Sequence, residues 1–200
     1  MPEGGDGWYS DSATVATDKY ETYFFKELIP DVDNRYRTIQ DRRGRAIAGL
    51  SMGGYGALKF GVKHSEMFIL ASSMSGALDP AARSENNQGF GWSVIKPSIL
   101  KVFGDEGSKT RSENDLHQLV KTLSNDKLSA LPYFYLDCGT EDGWLTSNRQ
   151  LADIFLDRKI PHEFRQLPGG HNWSYWDARV QYILALTSEK LSLTQTSIGK

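Results

Sequence analysis

The chain has 200 residues, of which 39% are hydrophobic and 12% aromatic, enough for one domain with a buried core. Its 23 basic and 25 acidic residues give a net charge of −2 with no Lys/Arg run, which argues against a nucleic-acid-binding protein. No segment approaches the roughly 20 apolar residues that span a bilayer, so the expected partner is a small molecule and not a membrane.

The single cysteine, Cys138, excludes an internal disulfide and any multi-cysteine metal site. The opening residues Met1–Gly5 lack the basic and apolar regions of a secretory signal. By default we expect a cytoplasmic protein that needs neither metal nor cofactor.

The first half of the chain alternates helical and strand-like patterns. Residues 1–17 are rich in Gly, Ser, Thr and Asp and are predicted to form a loop. Apolar residues from Asp18 onward follow helical spacing, and Pro30 is expected to kink or divide that helix. The short apolar run 45–50 predicts a buried strand, residues 53–63 a helix, and residues 67–74 the next strand.

The second half continues the alternation after a polar, interrupted stretch. Residues 77–130 are predicted to form a variable insert bordering the substrate cleft, with a helix around 114–123. The pattern then predicts a strand over 132–138, a helix over 145–158, a strand over 162–167 and a helix over 175–186. Alternation of this kind indicates one α/β domain, residues 1–187, with a mostly parallel sheet flanked by helices. Residues 188–200 read as a polar, frayed tail.

The segment Gly49-Leu50-Ser51-Met52-Gly53 matches G-x-S-x-G, the pattern of a nucleophile elbow. By composition alone this pattern is weakly specific. Here it follows a predicted strand and opens a predicted helix, which is the context that the motif requires. Ser51 is therefore the predicted nucleophile, and the Met52 amide points to where an oxyanion would form.

Four histidines could serve as the base. His64, His117 and His162 have structural explanations: a helix end, a helix face and a strand start. His171 instead follows the turn Pro168-Gly169-Gly170 after the last strand, in a loop that can reach the nucleophile. His171 is the predicted base.

The predicted acid is Asp142, which comes directly after the strand 132–138; Glu141 is its rival, and Asp137 lies inside the strand. Ser51, Asp142 and His171 occur in the chain order expected of α/β-hydrolases. Trp173, near the base, either lines the site or anchors the final helix together with Trp176.

The segments GLSMGGYGAL, CGTEDGWL and PGGHNWSYWD, together with WYSD, YETYFFKELIP and MSGALDP, resemble the putative-esterase family of α/β-hydrolases. That family includes esterase D, tributyrin and feruloyl esterases, and the antigen 85 mycolyltransferases. The resemblance covers nearly all of residues 1–187 and implies the same triad, the Met52 amide as an oxyanion donor, and no cofactor.

This sequence departs from the family pattern at its N-terminus, because family members carry several strands before the segment that resembles Met1–Asp11. We expect the N-terminal strands and the second oxyanion donor to be absent. The strand over 46–50 would then have an unpaired apolar edge, through which a homo-oligomer could form.

The function expected from these residues is hydrolysis of short-chain or aromatic acyl esters by a serine carboxylesterase. The cleft is expected to be bordered by residues 77–130 and by Trp8, Tyr9 and Trp173. Two alternatives stay open: an acyltransferase of the antigen 85 type, and a catalytically incomplete fragment that keeps the triad.

Overall fold

A four-stranded parallel sheet forms the centre of the molecule. The computed structural model describes residues 4–196, so the first three residues and the last four of the predicted tail lie outside the described residues. The strands follow the order β1-β2-β3-β4 across the sheet, with β1 Ala46–Leu50, β2 Leu70–Met74, β3 Tyr133–Gly139 and β4 His162–Leu167. The predicted α/β fold is confirmed.

Nine α-helical segments surround this sheet in the described part of the chain. They are α1 Tyr20–Tyr23, α2 Ile29–Arg35, α3 Met52–Lys63, α4 Trp92–Phe103, α5 Lys109–Asn114, α6 Leu116–Thr122, α7 Asn125–Leu128, α8 Leu145–Asp157 and α9 Trp173–Thr196. Short 3₁₀ turns lie at Arg42–Gly44, Ser65–Met67 and Pro80–Ala82.

The two faces of the sheet pack against different helices. Alternate residues of β3 point to opposite sides, so Phe134 and Leu136 join the core with α3, α4, α6 and α8. Tyr135 faces the other side and packs against Tyr175 and Ile183 of α9. Because both faces are covered, β2 is buried along its whole length and β3 at every residue after Tyr133.

The first helical region is continuous from Tyr20 to Arg35, across the proline at which the sequence predicted a kink or a division. A π-helical turn, Phe24–Leu28, joins α1 to α2 without a break. Pro30 is the second residue of α2, directly after this π-helical turn, and the helix continues through it to Arg35, so the proline does not divide the helix. The second strand is shorter than predicted, because Ser65–Met67 forms a 3₁₀ turn and β2 begins at Leu70.

Residues 77–130 contain a helix, α4, that the sequence pattern did not predict. Pro97 and the neighbouring glycines argued against it, yet Pro97 lies inside α4. The helix forms because Trp92, Ile99 and Phe103 pack into the main core. Tertiary packing outweighs the local helix-breaking signal here.

The last helix continues beyond its predicted end at Leu186. It runs to Thr196, so the predicted tail from Ser188 begins inside α9. The ammonium group of Lys190 lies 4.0 Å from the centroid of the Tyr133 ring, which holds this part of α9 against β3.

Strand β1 occupies one edge of the sheet. Among the described residues it pairs only with β2, and Ala48 at its centre is exposed. The unpaired edge agrees with the expectation from the sequence, but the prediction of a buried strand over 45–50 is wrong, since the residues of β1 are partly or fully exposed.

Candidate active site

Ser51 lies on a strained turn between β1 and α3. Its backbone has φ 52° and ψ −119°, a conformation that costs energy for any residue other than glycine. Gly49 permits the turn, since a Cβ at that position would lie 2.2 Å from the Gly53 carbonyl oxygen. The Ser51 amide donates to the Met74 carbonyl at 2.9 Å, which fastens the turn to β2.

The Ser51 hydroxyl is not used to cap its helix. A serine at this position ordinarily accepts a hydrogen bond from an amide of the first turn, but Ser51 makes no such side-chain bond. Its Oγ lies 2.9 Å from Nε2 of His171. The hydroxyl is therefore directed out of the helix and toward the loop after β4.

A backbone contact brings the loops after β3 and β4 together. The Glu141 amide donates to the Gly169 carbonyl at 3.0 Å, and the Thr140 amide donates to the Leu167 carbonyl at 2.8 Å. A Cβ at Gly139 would lie 2.0 Å from the Gly169 carbonyl oxygen, so only glycine allows this approach. The contact places Asp142 and His171 side by side.

Asp142, His171 and Ser51 form one chain of hydrogen bonds. Nδ1 of His171 lies 2.9 Å from Oδ2 of Asp142, and Nε2 of the same ring lies 2.9 Å from the Ser51 hydroxyl. With its proton on Nδ1, the neutral imidazole donates to the carboxylate and accepts from the hydroxyl. The structure thus brings together the three residues that the sequence singled out.

The Asp142 side chain is fully buried and held in its ionised form. Burial alone would raise its pKa, but the hydrogen bonds from His171 and from the Trp144 amide, with help from Ser75, lower it below the ordinary value. The Trp144 amide donates to Oδ1 at 2.9 Å, which leaves Oδ2 for His171. Glu141, the alternative acid, is exposed, and its hydrogen bond to the Gly169 carbonyl is made by its backbone amide and not by its carboxylate.

Met52 is the first residue of α3. Amides in the first turn of a helix have no acceptor within the helix, and the helix dipole adds positive potential there. The Met52 amide therefore has the chemistry of an anion donor, and it belongs to the residue that directly follows Ser51.

Two tryptophans of α9 lie near the imidazole. Trp176 is buried and meets the His171 ring edge to face, with ring centroids 4.9 Å apart and an angle of 89°. Trp173 is 70% exposed and packs edge to face on Trp176. Trp176 thus packs against the predicted base and restricts the orientation of its ring, a contact that the sequence analysis did not assign.

The structure places Trp8 in the main core, not at the border of a cleft as the sequence predicted. Its side chain is 3% exposed, packs edge to face against Tyr55 in the main core, and donates from Nε1 to the Ser98 hydroxyl at 2.9 Å. A residue so enclosed is not available to contact a substrate. Tyr9 is half-buried and lies along α3, beside Gly53 and Gly56.

The other three histidines lie outside this site. Nε2 of His64 is 3.2 Å from a Glu21 carboxylate oxygen at the end of α3, and Nδ1 of His162 is 2.8 Å from the Ile160 carbonyl. His117 lies on α6, where burial lowers its pKa.

Within residues 4–196, no three His, Cys, Asp or Glu side chains are gathered closely enough to hold a metal ion. The same part of the chain contains no helix with the length and apolar character needed to cross a membrane.

Comparisons with known proteins find one matching family model and several related esterases. The family model described as "Putative esterase" matches residues 1–186. An esterase of Mycobacterium tuberculosis is 31% identical over 189 residues, covering 86% of this chain and 41% of the relative. An acetyl esterase of Caldicellulosiruptor saccharolyticus is 29% identical over 186 residues, covering 88% of this chain and 66% of the relative.

Among solved structures, a ferulic acid esterase is 34% identical and superimposes with a TM-score of 0.71, covering 86% of this chain and 62% of that one. The chain thus spans between two fifths and two thirds of the length of these relatives. Since the family model covers nearly the whole sequence, the chain belongs to the putative-esterase family of α/β-hydrolases.

Proposed function

We propose that this chain is a serine carboxylesterase that hydrolyses short-chain or aromatic acyl esters through an acyl-enzyme on Ser51. The observation that carries the proposal is the unbroken hydrogen-bond chain from the buried Asp142 carboxylate through His171 to the Ser51 hydroxyl. Family membership supports the same chemistry, because acetyl and ferulic acid esterases are among the relatives.

In the proposed reaction Ser51 is the nucleophile and His171 the general base. His171 accepts the hydroxyl proton through Nε2 as Ser51 Oγ attacks the ester carbonyl carbon. It then returns the proton to the leaving alkoxide, and the acyl group stays on Ser51. Water, deprotonated by the same imidazole, attacks the acyl carbon, and His171 returns that proton to Ser51 Oγ as the bond between Oγ and the acyl group breaks and the acid leaves.

Asp142 and Met52 stabilise the charges that form in each step. The Asp142 carboxylate holds the proton of His171 on Nδ1 and offsets the positive charge of the imidazolium. The Met52 amide donates to the carbonyl oxygen as that oxygen becomes negative. One donor of this kind contributes on the order of 10²–10³ in rate.

The acyl preference is proposed from the relatives and from the aromatic surface beside the base. Trp173 is exposed two residues after His171 and is the aromatic side chain offered to a bound acyl or alcohol group.

The experiment that tests the proposal is labelling with a fluorophosphonate probe, beside Ser51→Ala and a heat-denatured control. We expect stoichiometric labelling that the variant loses, together with hydrolysis of p-nitrophenyl acetate. A soluble, folded sample that takes no label would contradict the proposal and favour a chain that holds the triad without working geometry. Analysis of products formed with glycerol present separates hydrolysis from acyl transfer.

The partner proposed in addition to the substrate is a second copy of the chain. The free edge of β1, with its run of apolar residues and exposed Ala48, supports association between copies.

A further inference from the structure

The turn Gly7–Ser10 has an unusual backbone. Trp8 and Tyr9 both lie in the left-handed region, with φ 46° and 49°, although neither is a glycine. For large side chains this conformation is strained, and it persists only where the surroundings fix it. Two consecutive strained residues indicate that the turn is held in place by specific contacts.

Lys59 of α3 supplies those contacts. Its ammonium group donates to the Tyr9 carbonyl and to the Ser10 hydroxyl, both at 2.7 Å, and to Oε2 of Glu21 at 2.9 Å. The side chain is completely buried. Burial lowers the Lys59 pKa to about 8, the Glu21 charge opposes that effect, and the ammonium group stays charged at neutral pH.

The turn in its held conformation presses Tyr9 against the helix that begins at the nucleophile. A Cβ at Gly56 would lie 2.6 Å from the Tyr9 ring, and a Cβ at Gly53 would lie 3.4 Å from the Tyr9 hydroxyl oxygen. Glycines at these two positions let the ring lie flat along the first turns of α3. Gly53 directly follows Met52, whose amide is the proposed oxyanion donor.

We propose that Lys59 is a positioning residue for the proposed esterase reaction: it clamps Tyr9 against α3 and thereby fixes the first turn that carries the Met52 amide. The inference rests on the proposed function, because it concerns the donor that serves the oxyanion. Lys59 itself lies two turns from Ser51 and touches no reacting atom.

Lys63 provides a matched control on the same helix. Its ammonium group also pairs with Glu21, at 2.7 Å from Oε1, but its contacts do not include the Gly7–Ser10 turn. Lys63→Met therefore removes a cation from Glu21 and leaves the clamp, whereas Lys59→Met removes both. The difference between the two variants isolates the clamp.

The experiment measures kcat and KM for p-nitrophenyl acetate, and the rate of fluorophosphonate labelling, in Lys59→Met, Tyr9→Leu, the double variant and Lys63→Met. We expect Lys59→Met and Tyr9→Leu each to lower kcat and the labelling rate about 10- to 100-fold with little change in KM, since a displaced donor weakens the transition state. The double variant should be no worse than either single variant, because both act through one contact. Lys63→Met should stay within about twofold of the parent.

Tyr9→Leu tests the inference by itself if Lys59→Met does not fold, since Tyr9 is half-buried and uncharged. A folded Lys59→Met or Tyr9→Leu with kcat within twofold of the parent would overturn the inference, as would fully additive losses or a rise in KM alone. A parent chain that is neither labelled nor active would instead reject the proposed function.

Discussion

Asp137 is a buried carboxyl group that lies outside the proposed site. It is fully buried on β3, on the face that packs against α9, and no well-formed hydrogen bond reaches either carboxylate oxygen from the described residues. Burial raises its pKa from 3.8 to about 6, and the nearby hydroxyls of Tyr135 and Tyr175 lower it only in part. Between pH 3.8 and about 6, the folded protein therefore keeps a proton on Asp137 that the unfolded chain has already released.

The effect on stability follows from this difference in proton binding. Below pH 3.8 both states are protonated, and the carboxyl group contributes nothing. Between 3.8 and about 6 the folded state binds the extra proton, so the free energy of unfolding falls as pH rises. Each pH unit is worth about 1.4 kcal/mol, so we expect this group to cost about 2 kcal/mol between pH 4.5 and pH 7.5.

Asp137→Asn removes the titrating group and keeps the shape of the side chain. We expect the variant to gain about 2 kcal/mol over the parent between the two pH values. For a chain of this length, that gain corresponds to roughly 4–8 °C in melting temperature. Urea unfolding of both proteins at pH 4.5 and pH 7.5, with circular dichroism as the signal, measures the difference directly.

Asp142→Asn is the matched substitution with the opposite sign. The pKa of Asp142 is lowered in the folded state, so its contribution to stability is present at neutral pH and is lost as pH falls through the folded value. The Asp142→Asn variant should be less stable than the parent at pH 7.5.

A stability difference between Asp137→Asn and the parent that stays constant, or that shrinks with rising pH, would refute the reasoning about the buried carboxyl group.

Three further predictions concern the site and the sheet edge. Ser75→Ala should raise the Asp142 pKa and lower kcat/KM by up to about tenfold, as measured by pH–rate profiles. Ser72→Ala is the control, because Ser72 lies on β2 and is as buried as Ser75, and it should change neither quantity. Gly139→Ala should separate the loops of Asp142 and His171 and cost at least about 100-fold in kcat, whereas Gly170→Ala, whose Cβ meets only ordinary contacts, should cost far less in the same assay. Ala48→Lys should abolish concentration-dependent association in light scattering by charging the free edge of β1, and unchanged association would exclude that edge as the interface.

The fold was predictable where local pattern and packing agree. Strands β1, β3 and β4 and helices α3 and α8 carry clear periodicity and turn signals, and their bounds differ by at most one residue from those predicted. The missed helix α4 contains Pro97, and its stability comes from contacts with distant parts of the chain. A local pattern carries no information on such contacts.

The same distinction applies to the site. Chain order and strand ends were enough to select Ser51, Asp142 and His171, because a parallel sheet presents the carboxyl ends of its strands at one edge. The burial of Trp8 and the contact of Trp176 with His171 depend on how loops and α9 pack in three dimensions. An aromatic residue beside a motif does not reveal whether it faces solvent, substrate or core.

The structure also explains why two separate sequence segments belong together. The segment WYSD contributes Tyr9 and Ser10, and the segment GLSMGGYGALK contributes Gly53, Gly56 and Lys59. Lys59 binds the Tyr9 carbonyl and the Ser10 hydroxyl, while the two glycines make room for the Tyr9 ring. The glycines after the proposed nucleophile thus serve a second purpose besides the turn at Ser51, since they let a strained turn pack against the helix whose first amide is the proposed oxyanion donor.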